Sequence, residues 1–418
     1  MALQRTDVVV LGAGIVGVSA ALHLQAKGRA VTLVDRAGAA ATETSFGNTG
    51  IVQSEAVFPY MFPRAPGEIA AAALGLDPRV RIRYAALPSI APWVWRYFLA
   101  SSPSRRLAAG TTMRGLVGRC VAEHRALAAP AGAEALLRPT GWLKVYRTKR
   151  GQDIAFKDSE ETKPFGLPSE ALSREQVLAL EPHLGEVVIG GVHFTDPLTT
   201  PDPQALTESY ARLFVARGGT FVAGDALTLA QSGDGWALTT AAGSLQASAA
   251  VVALGPWTAD LARAFGYRFP LGVKRGYHMH YAAKDGAILN RPVLDLERGY
   301  ALTPMTHGLR LTTGAEFARR DDPPSPAHLN RVEPYGREMF PSLGARLDPA
   351  PWLGKRPCLP DMIPVIGPAP RHKGLWFDFG HQHLGLTLGP VSGRLLAELM
   401  AGETPFVDPK PFRADRFA

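Results

Sequence analysis

The sequence predicts a mixed α/β (α+β) fold, in which a Rossmann-like domain alternates along the chain with a second domain built on an antiparallel or mixed sheet with helices. Three observations predict it. A glycine-rich turn joins an apolar strand to a helix at the N-terminus, a second apolar strand ends at an acidic residue, and strand patterns recur over 220–254, 270–282 and 299–317. A final helix is predicted over 389–400, closed by Gly402.

The N-terminal turn has the spacing of a dinucleotide-binding βαβ unit. Gly12 permits the tight turn, Gly14 lets the backbone approach a pyrophosphate, and Gly17 lets the helix pack closely on the strand. Ile15 and Val16 open the helix, whose free N–H groups and positive dipole end face the phosphates.

The second strand of this unit ends at Asp35, which is placed to accept hydrogen bonds from ribose hydroxyls. An NAD or NADP reductase with the same first motif is the rival reading. Asp35 argues against NADP, because its carboxylate would repel the 2′-phosphate.

Length and charge limit the remaining classes. A chain of 418 residues favours two domains. The net charge is +8, yet the arginines are dispersed and no aromatic-interleaved basic patch is present, so nucleic acid is not an expected partner. Cys120 and Cys358 lack metal-site spacing, and we expect neither a disulfide nor a bound metal.

Membrane spans and targeting signals are not expected either. No uncharged apolar stretch reaches the ~18–20 residues that cross a bilayer. The apolar run over 8–22 follows the nucleotide pattern rather than that of a signal peptide. We therefore expect a cytoplasmic protein.

Three later segments extend the pattern: the small-residue loop 43–50, the run RPCLPDMIPVIG over 356–367, and GHQHLGL over 380–386. Together with the first motif they resemble FAD-dependent amine oxidoreductases of the D-amino acid oxidase type, most closely the bacterial D-amino acid dehydrogenase branch. The resemblance runs nearly end to end. A nicotinamide reductase would leave the loop 43–50 and the segment 380–386 without a role.

The resemblance implies a non-covalent FAD, because the covalent sarcosine oxidases of this superfamily carry a linking cysteine where this chain has Gly354. It places the second flavin loop at 43–50 and a helix N-terminus near the flavin ring after 380. The implied FAD-contacting residues are Gly12, Gly14, Ile15, Val16, Gly17, Asp35, Arg36, Ser45, Asn48, Thr49, Gly50, Ala226, Ala253, Gly255, Gly380, His383, Leu384, Gly385, Leu386 and Thr387.

One arginine stands out among apolar neighbours on a predicted strand. Arg310 lies in a setting where the family carries an arginine that grips the substrate carboxylate, and we predict that role for it. The alternative is a salt bridge to Glu316 or Asp295.

The other predicted catalytic residues are Tyr300, His383, His278 and Gln53. Histidines titrate near pH 7 and could help to deprotonate the substrate ammonium. Of His278, His280, His381 and His383, the last is predicted to face the flavin.

The resemblance implies oxidative deamination of small amino acids, of D configuration, to 2-oxo acids and ammonia, with hydride passing from Cα to flavin N5. Alternatives are a secondary-amine oxidoreductase for sarcosine, glycine, proline or hydroxyproline, and a flavin-binding subunit of a multi-chain dehydrogenase. The predicted FAD-binding ranges are 1–55, 196–266 and 351–412, and the substrate-binding ranges are 56–195 and 267–350.

The electron acceptor is predicted to be a quinone or dye, with oxygen as the alternative. An aromatic run containing Trp93, Trp95, Tyr97 and Phe98 lies close to Arg105 and Arg106. With the resemblance, this run predicts peripheral contact with the inner face of the cytoplasmic membrane. The sequence does not predict an oligomeric state.

Overall fold

The computed structural model describes residues 4–417, which form two large sheets, a two-stranded sheet and surrounding helices. The strands are β1 (Gln4–Leu11), β2 (Val31–Asp35), β3 (Ile51–Val52), β4 (Val80–Ile82), β5 (Trp142–Tyr146), β6 (Ser169–Ser173), β7 (Gly190–Phe194), β8 (Leu198–Thr199), β9 (Thr220–Ala223), β10 (Ala230–Ser232), β11 (Gly235–Thr240), β12 (Gly243–Val252), β13 (Gly272–Ala283), β14 (Val293–Asp295), β15 (Tyr300–Met305), β16 (Gly308–Thr313), β17 (Ala315–Phe317), β18 (Leu343–Arg346), β19 (Trp352–Cys358), β20 (Val365–Pro368) and β21 (Leu375–Phe379). The α-helices are α1 (Ile15–Ala26), α2 (Pro66–Ala73), α3 (Leu87–Ala100), α4 (Pro103–Val117), α5 (Cys120–Ala128), α6 (Lys149–Thr162), α7 (Arg174–Leu180), α8 (Pro203–Ala216), α9 (Thr258–Ala264), α10 (Ala327–Met339) and α11 (Gly385–Met400). None of these helices is long and apolar enough to cross a membrane.

The first sheet has a parallel centre in the order β9-β2-β1-β12-β21, and the hairpin β10-β11 and the strand β20 add antiparallel partners. The C-terminal half of β1 is buried throughout. Such a run suits a strand covered on both faces, which explains why it reads as continuously apolar rather than alternating. The predicted fold class is confirmed.

The second sheet has eleven strands, and the long strand β13 pairs with β16, β17, β18 and β19. β19 therefore lies in this sheet, although its residues fall within the range 351–412 predicted for FAD binding. Conversely, α4 and α5 fall within the range 56–195 predicted for the substrate domain, yet their buried side chains share a core with β1 and α11. Strand pairing thus places β19 in the second sheet, and side-chain packing places α4 and α5 against the first, unlike the predicted ranges.

Helices α1 and α11 pack side by side. A Cβ on Gly389 would lie 3.0 Å from the side chain of Ile15, and one on Gly393 would lie 2.7 Å from the backbone N of Ala20. Since both contacts advance in the same chain direction, α1 and α11 run parallel and begin at the same end. The structure starts α11 at Gly385, whereas the sequence placed its start at Gly389.

Candidate active site

A cavity of about 840 Å³ opens where α1 and α11 begin and runs between the two large sheets. The turn after β1 forms part of its wall. Gly12 has φ +102°, and a Cβ there would lie 2.6 Å from the carbonyl oxygen of Ala253. A Cβ on Gly17 would lie 1.9 Å from the carbonyl oxygen of Gly12. Both positions therefore require glycine, as predicted from their spacing.

Neither helix start is capped by its own N-cap side chain. Gly14 is the N-cap of α1, and the N–H of Ile15 donates to Ser45 Oγ at 3.0 Å. Leu384 is the N-cap of α11, and Gly385 lines the cavity with open space where a side chain would stand. Two positive dipole ends consequently face one cavity.

Asp35 lies at the end of β2 beside this turn and lines the cavity. Its two carboxylate oxygens accept backbone N–H groups of Ala13 and Ala37, each at 2.9 Å. Arg36 packs over the ring of Trp257 at 4.5 Å and pairs with Glu43. The carboxylate is thus fixed where the cavity meets the sheet.

The loop 43–50 closes one side of the cavity. Asn48 Oδ1 accepts the N–H of Gly50 at 2.9 Å. Gly50 has φ +74°, and a Cβ there would lie 2.3 Å from the carbonyl oxygen of Thr200. Ser45, Asn48 and Thr49 line the cavity.

Most of the residues predicted to contact FAD or substrate line this one cavity. They are Gly12, Gly14, Ile15, Val16, Asp35, Arg36, Ser45, Asn48, Thr49, Gln53, Ala226, Ala253, Gly255, His278, Tyr300, His383, Gly385 and Leu386. Those outside the lining are Gly17, Gly50, Arg310, Gly380, Leu384 and Thr387.

Arg310 lies behind the loop 43–50 rather than in the cavity. It is 5% exposed, and its guanidinium donates to His280 Nε2 at 2.9 Å and to the carbonyl oxygens of Asn48 at 2.6 Å and Phe46 at 3.3 Å. Burial lowers its pKa to about 10. Neither predicted alternative partner is used, since Glu316 pairs with Arg275 and Asp295 pairs with Arg147.

The cations of Arg356 and Lys274 also line the cavity, and no sequence motif indicates their pairing. Arg356 on β19 and Lys274 on β13 lie opposite each other in the strand register. Arg356 donates to the carbonyl oxygens of Gly314 at 2.9 Å and Thr313 at 3.2 Å. Lys274 Nζ donates to the Tyr97 hydroxyl at 2.7 Å.

Neither cation forms a salt bridge within the described residues 4–417. Burial lowers the pKa of Lys274 to about 8 and lowers the pKa of Arg356. A half-buried positive pair without a carboxylate favours an anionic ligand, because an unpaired charge partly removed from water is costly.

His383 lines the cavity near these cations, with its ring 5.1 Å from that of Tyr60. Burial, with the charges of Arg356 and Lys274, lowers its pKa to about 3. The ring is therefore neutral at pH 7. This corrects the expectation that His383 titrates near neutrality.

His278 and Tyr300 touch the cavity wall but are tied to the protein. His278 stacks on Trp352 at 4.8 Å, and burial with the nearby Arg310 lowers its pKa to about 2, which again corrects the expected titration near pH 7. The Tyr300 hydroxyl donates to the carbonyl oxygen of Tyr335 at 2.7 Å and accepts from Arg147 at 3.3 Å. This hydroxyl is therefore already hydrogen-bonded to protein groups, Tyr335 and Arg147.

Gln53 directly follows β3 and lines the cavity. Its N–H donates to Thr387 Oγ1 at 3.0 Å, and its side-chain Nε2 donates to Glu55 Oε1 at 3.0 Å. Burial raises the pKa of Glu55 to about 7. Glu55 thereby fixes the orientation of the Gln53 amide.

His280, His307 and Asp348 lie close enough together to hold a metal ion. However, His280 Nε2 accepts from Arg310, and its Nδ1 lies 2.8 Å from Asp348 Oδ2. A metal on Nδ1 would require the ring proton on Nε2, facing the Arg310 donor. Arg310, His280 and Asp348 are therefore better described as a chain of hydrogen-bonded side chains.

The glycine turn, the two uncapped helix starts and the fixed Asp35 suit a dinucleotide with a pyrophosphate and a ribose. Residues 7–399 match the DAO family, described as FAD dependent oxidoreductase. The chain belongs to this family. FAD dependence and the predicted resemblance are thereby confirmed.

Curated relatives span the whole chain. The chain is 30% identical to D-amino acid dehydrogenase 2 of Mesorhizobium japonicum, over 96% of this chain and 98% of the relative. It is 30% identical to D-amino acid dehydrogenase of Chromohalobacter salexigens, over 99% of this chain and 100% of the relative.

Solved structures share the fold. Glycine oxidase from Geobacillus kaustophilus superposes with a TM-score of 0.74 at 20% identity, over 99% of this chain and 100% of that one. At this identity the likeness concerns the arrangement of the two sheets and helices.

Proposed function

We propose that this protein oxidises D-amino acids at Cα with FAD, and that the imino acid formed hydrolyses to a 2-oxo acid and ammonia. The bound FAD would accept the hydride that leaves Cα, which carries the two electrons, while the amine nitrogen loses a proton. The D-amino acid dehydrogenases that the chain resembles along its whole length support this substrate class.

The observation that carries the proposal is the pair Arg356 and Lys274, which forms no salt bridge in the described part of the chain and lines the cavity. We assign the substrate carboxylate to this pair rather than to Arg310, which does not line the cavity and whose Nε and Nη1 donate to His280 and to two carbonyl oxygens. The planar guanidinium of Arg356 supplies directional donors and Lys274 supplies a second charge.

The substrate ammonium has nearby groups that do not carry positive charge. His383 is neutral at pH 7, and Gln53 offers an amide fixed by Glu55. We propose that these groups orient the amine while the cations hold the carboxylate, which presents Cα to the flavin.

The experiment follows both products. Purified protein is given D-alanine and a dye acceptor, and 2-oxo acid, ammonia and reduced dye are quantified together. With a two-electron dye, equal amounts of the three support the proposal. Turnover of sarcosine or proline in place of primary D-amino acids would instead assign the secondary-amine chemistry. Dependence on an added partner chain would assign a subunit role.

For the electron acceptor we propose a membrane quinone, reached from the cytoplasmic side. Large apolar side chains are exposed around α2 and α3, namely Leu74, Leu76, Tyr84, Trp95 and Leu99. The residues of the predicted aromatic run differ in their exposure to solvent. Trp95 is 60% exposed, whereas Tyr97 is buried and Trp93 Nε1 donates to the carbonyl oxygen of Cys358 at 3.0 Å, so these two residues do not face lipid.

Vesicle binding tests this contact. The protein should pellet with anionic vesicles at low salt, and a Trp95→Ser variant should pellet less. Its reduced flavin should be reoxidised faster by a quinone than by air. Rapid reoxidation by air without vesicle binding would make the protein a soluble oxidase.

A further inference from the structure

Strand β5 presents two hydrogen-bond donors to the cavity. Trp142 and Lys144 stand two residues apart on it, so that their side chains lie on the same face of the strand. Both line the cavity, and they are only 3% and 9% exposed. Neither belongs to the predicted FAD-binding or catalytic residues.

The indole N–H of Trp142 is buried and has no hydrogen-bond partner among the described residues. Its ring cannot easily turn away, because it stacks on Phe194 with centroids 5.0 Å apart and planes at 18°. The neighbouring acidic group is Glu55, whose Oε1 accepts from Gln53 and whose buried Oε2 interacts with the indole but, like the indole N–H, has no hydrogen bond of full geometry among the described residues. A ligand amide carries both an acceptor for the indole N–H and a donor for this carboxylate oxygen, so it would complete both groups.

The ammonium of Lys144 is also incompletely paired. It donates to Asp158 Oδ2 at 3.2 Å and lies 5.4 Å from the Phe194 ring centroid, and no other hydrogen bond is made by it within residues 4–417. An ammonium has three donors, so two remain for a ligand. Asp158 is 40% exposed at its side chain, so water can share its charge.

The donor pair is continuous with the proposed carboxylate site. Tyr60 links the two places, since its ring lies 5.1 Å from that of His383 and it lines the same cavity as Lys144 and Arg356. A substrate held at Arg356 can therefore extend its side chain past Tyr60 toward β5.

We propose that Trp142 and Lys144 form a side-chain subsite for substrates that end in an acceptor oxygen, an amide or a carboxylate, as in D-glutamine and D-glutamate. This inference rests on the proposed D-amino acid oxidation. The two donors would share the terminal oxygen atoms, and Lys144 would disfavour a cationic side chain such as that of D-lysine. A purely apolar side chain would leave both donors unpaired.

The test compares kcat/KM for D-glutamine and D-glutamate with that for D-homoleucine, which has the same shape as D-glutamine without its polar atoms. We expect a preference of about tenfold or more for the polar substrates in the native protein. Lys144→Met and Trp142→Phe should each reduce this ratio several-fold. Lys149→Met removes a lysine whose side chain is 77% exposed, and should keep the ratio.

The two variants remove different donors and are compared at equal flavin content, so a folding defect in one does not decide the outcome. A native preference for D-homoleucine or D-lysine, or an unaltered ratio in both variants, would overturn the subsite while D-alanine oxidation upholds the proposed function. Absence of turnover with every D-amino acid, D-alanine included, would overturn both.

Discussion

Arg310 donates a hydrogen bond from Nε to His280 Nε2 at 2.9 Å, and this bond joins neighbouring strands β16 and β13 behind the flavin loop. His280 must then carry its proton on Nδ1, which faces Asp348 Oδ2 at 2.8 Å. At the other end of Arg310 the donors reach the carbonyl oxygens of Phe46 and Asn48. The guanidinium thus connects the substrate sheet to the loop 43–50.

Replacing Arg310 with Met should weaken FAD binding more than substrate binding. The change leaves buried acceptors on Asn48, Phe46 and His280 without a donor, at a cost of about 1–3 kcal/mol for each unsatisfied group. We expect a lower melting temperature and a flavin dissociation constant raised at least about tenfold. Both are measured on the apoprotein titrated with FAD.

Arg310→Lys serves as the conservative variant, since it keeps the charge and the donors of an ammonium and should recover part of the loss. A large rise in KM for carboxylate substrates, with flavin affinity intact, would instead restore the carboxylate role predicted from the sequence.

The ammonium of Lys274 should make carboxylate binding depend on pH. Burial lowers its pKa to about 8, so the group is charged below that pH and neutral above it. Propionate has no group that titrates in this range. Its dissociation constant, followed by the flavin spectrum, should therefore rise as pH increases through about 8. Lys274→Met should bind propionate weakly and without that step, and an unchanged step would assign it to another group.

Asp35→Ala should reduce FAD retention and spare substrate affinity in the fraction that keeps its flavin. The carboxylate lines the cavity at the strand end where a ribose is expected. Asp7→Ala is a matched control, since Asp7 also accepts a backbone N–H, that of Ala30 at 2.9 Å, but lies outside the cavity lining. Equal flavin loss in both variants would reduce Asp35 to a structural role.

The flavin should leave the protein on acid precipitation. Gly354 offers no thiol, and a Cβ there would lie 2.6 Å from Trp352. Cys358 is buried, and burial raises its pKa, which keeps it in the unreactive thiol form. Yellow colour that stays with the precipitated polypeptide would show a covalent link.

Local geometry was predictable from the sequence, and contacts between distant segments were not. Gly12 and Gly17 are required by one turn and the helix that follows it, so their spacing alone indicated their roles. The sequence pattern predicts a helix start at Gly389. In the structure Gly389 packs against Ile15, and the helix begins earlier, at Gly385. Periodicity does not reveal which helix packs against which.

The arginines illustrate the same limit. A lone arginine among apolar residues correctly predicted that Arg310 is buried and needs partners. The sequence could not show that backbone carbonyls would meet that need, because Asn48 lies 262 residues away. Arg356 belongs to the motif over 356–367, but its approach to Lys274 depends on the pairing of β19 with β13. Trp142 and Lys144 carried no motif at all.

We expect D-amino acids to be oxidised in the cavity lined by Arg356 and Lys274. An anaerobic titration follows the flavin absorbance of the purified protein with D-alanine and, separately, with L-alanine. D-Alanine should bleach the flavin completely, L-alanine should not, and Arg356→Met should need far more D-alanine for the same bleaching. Bleaching by L-alanine alone, or none by any D-amino acid, would contradict this expectation.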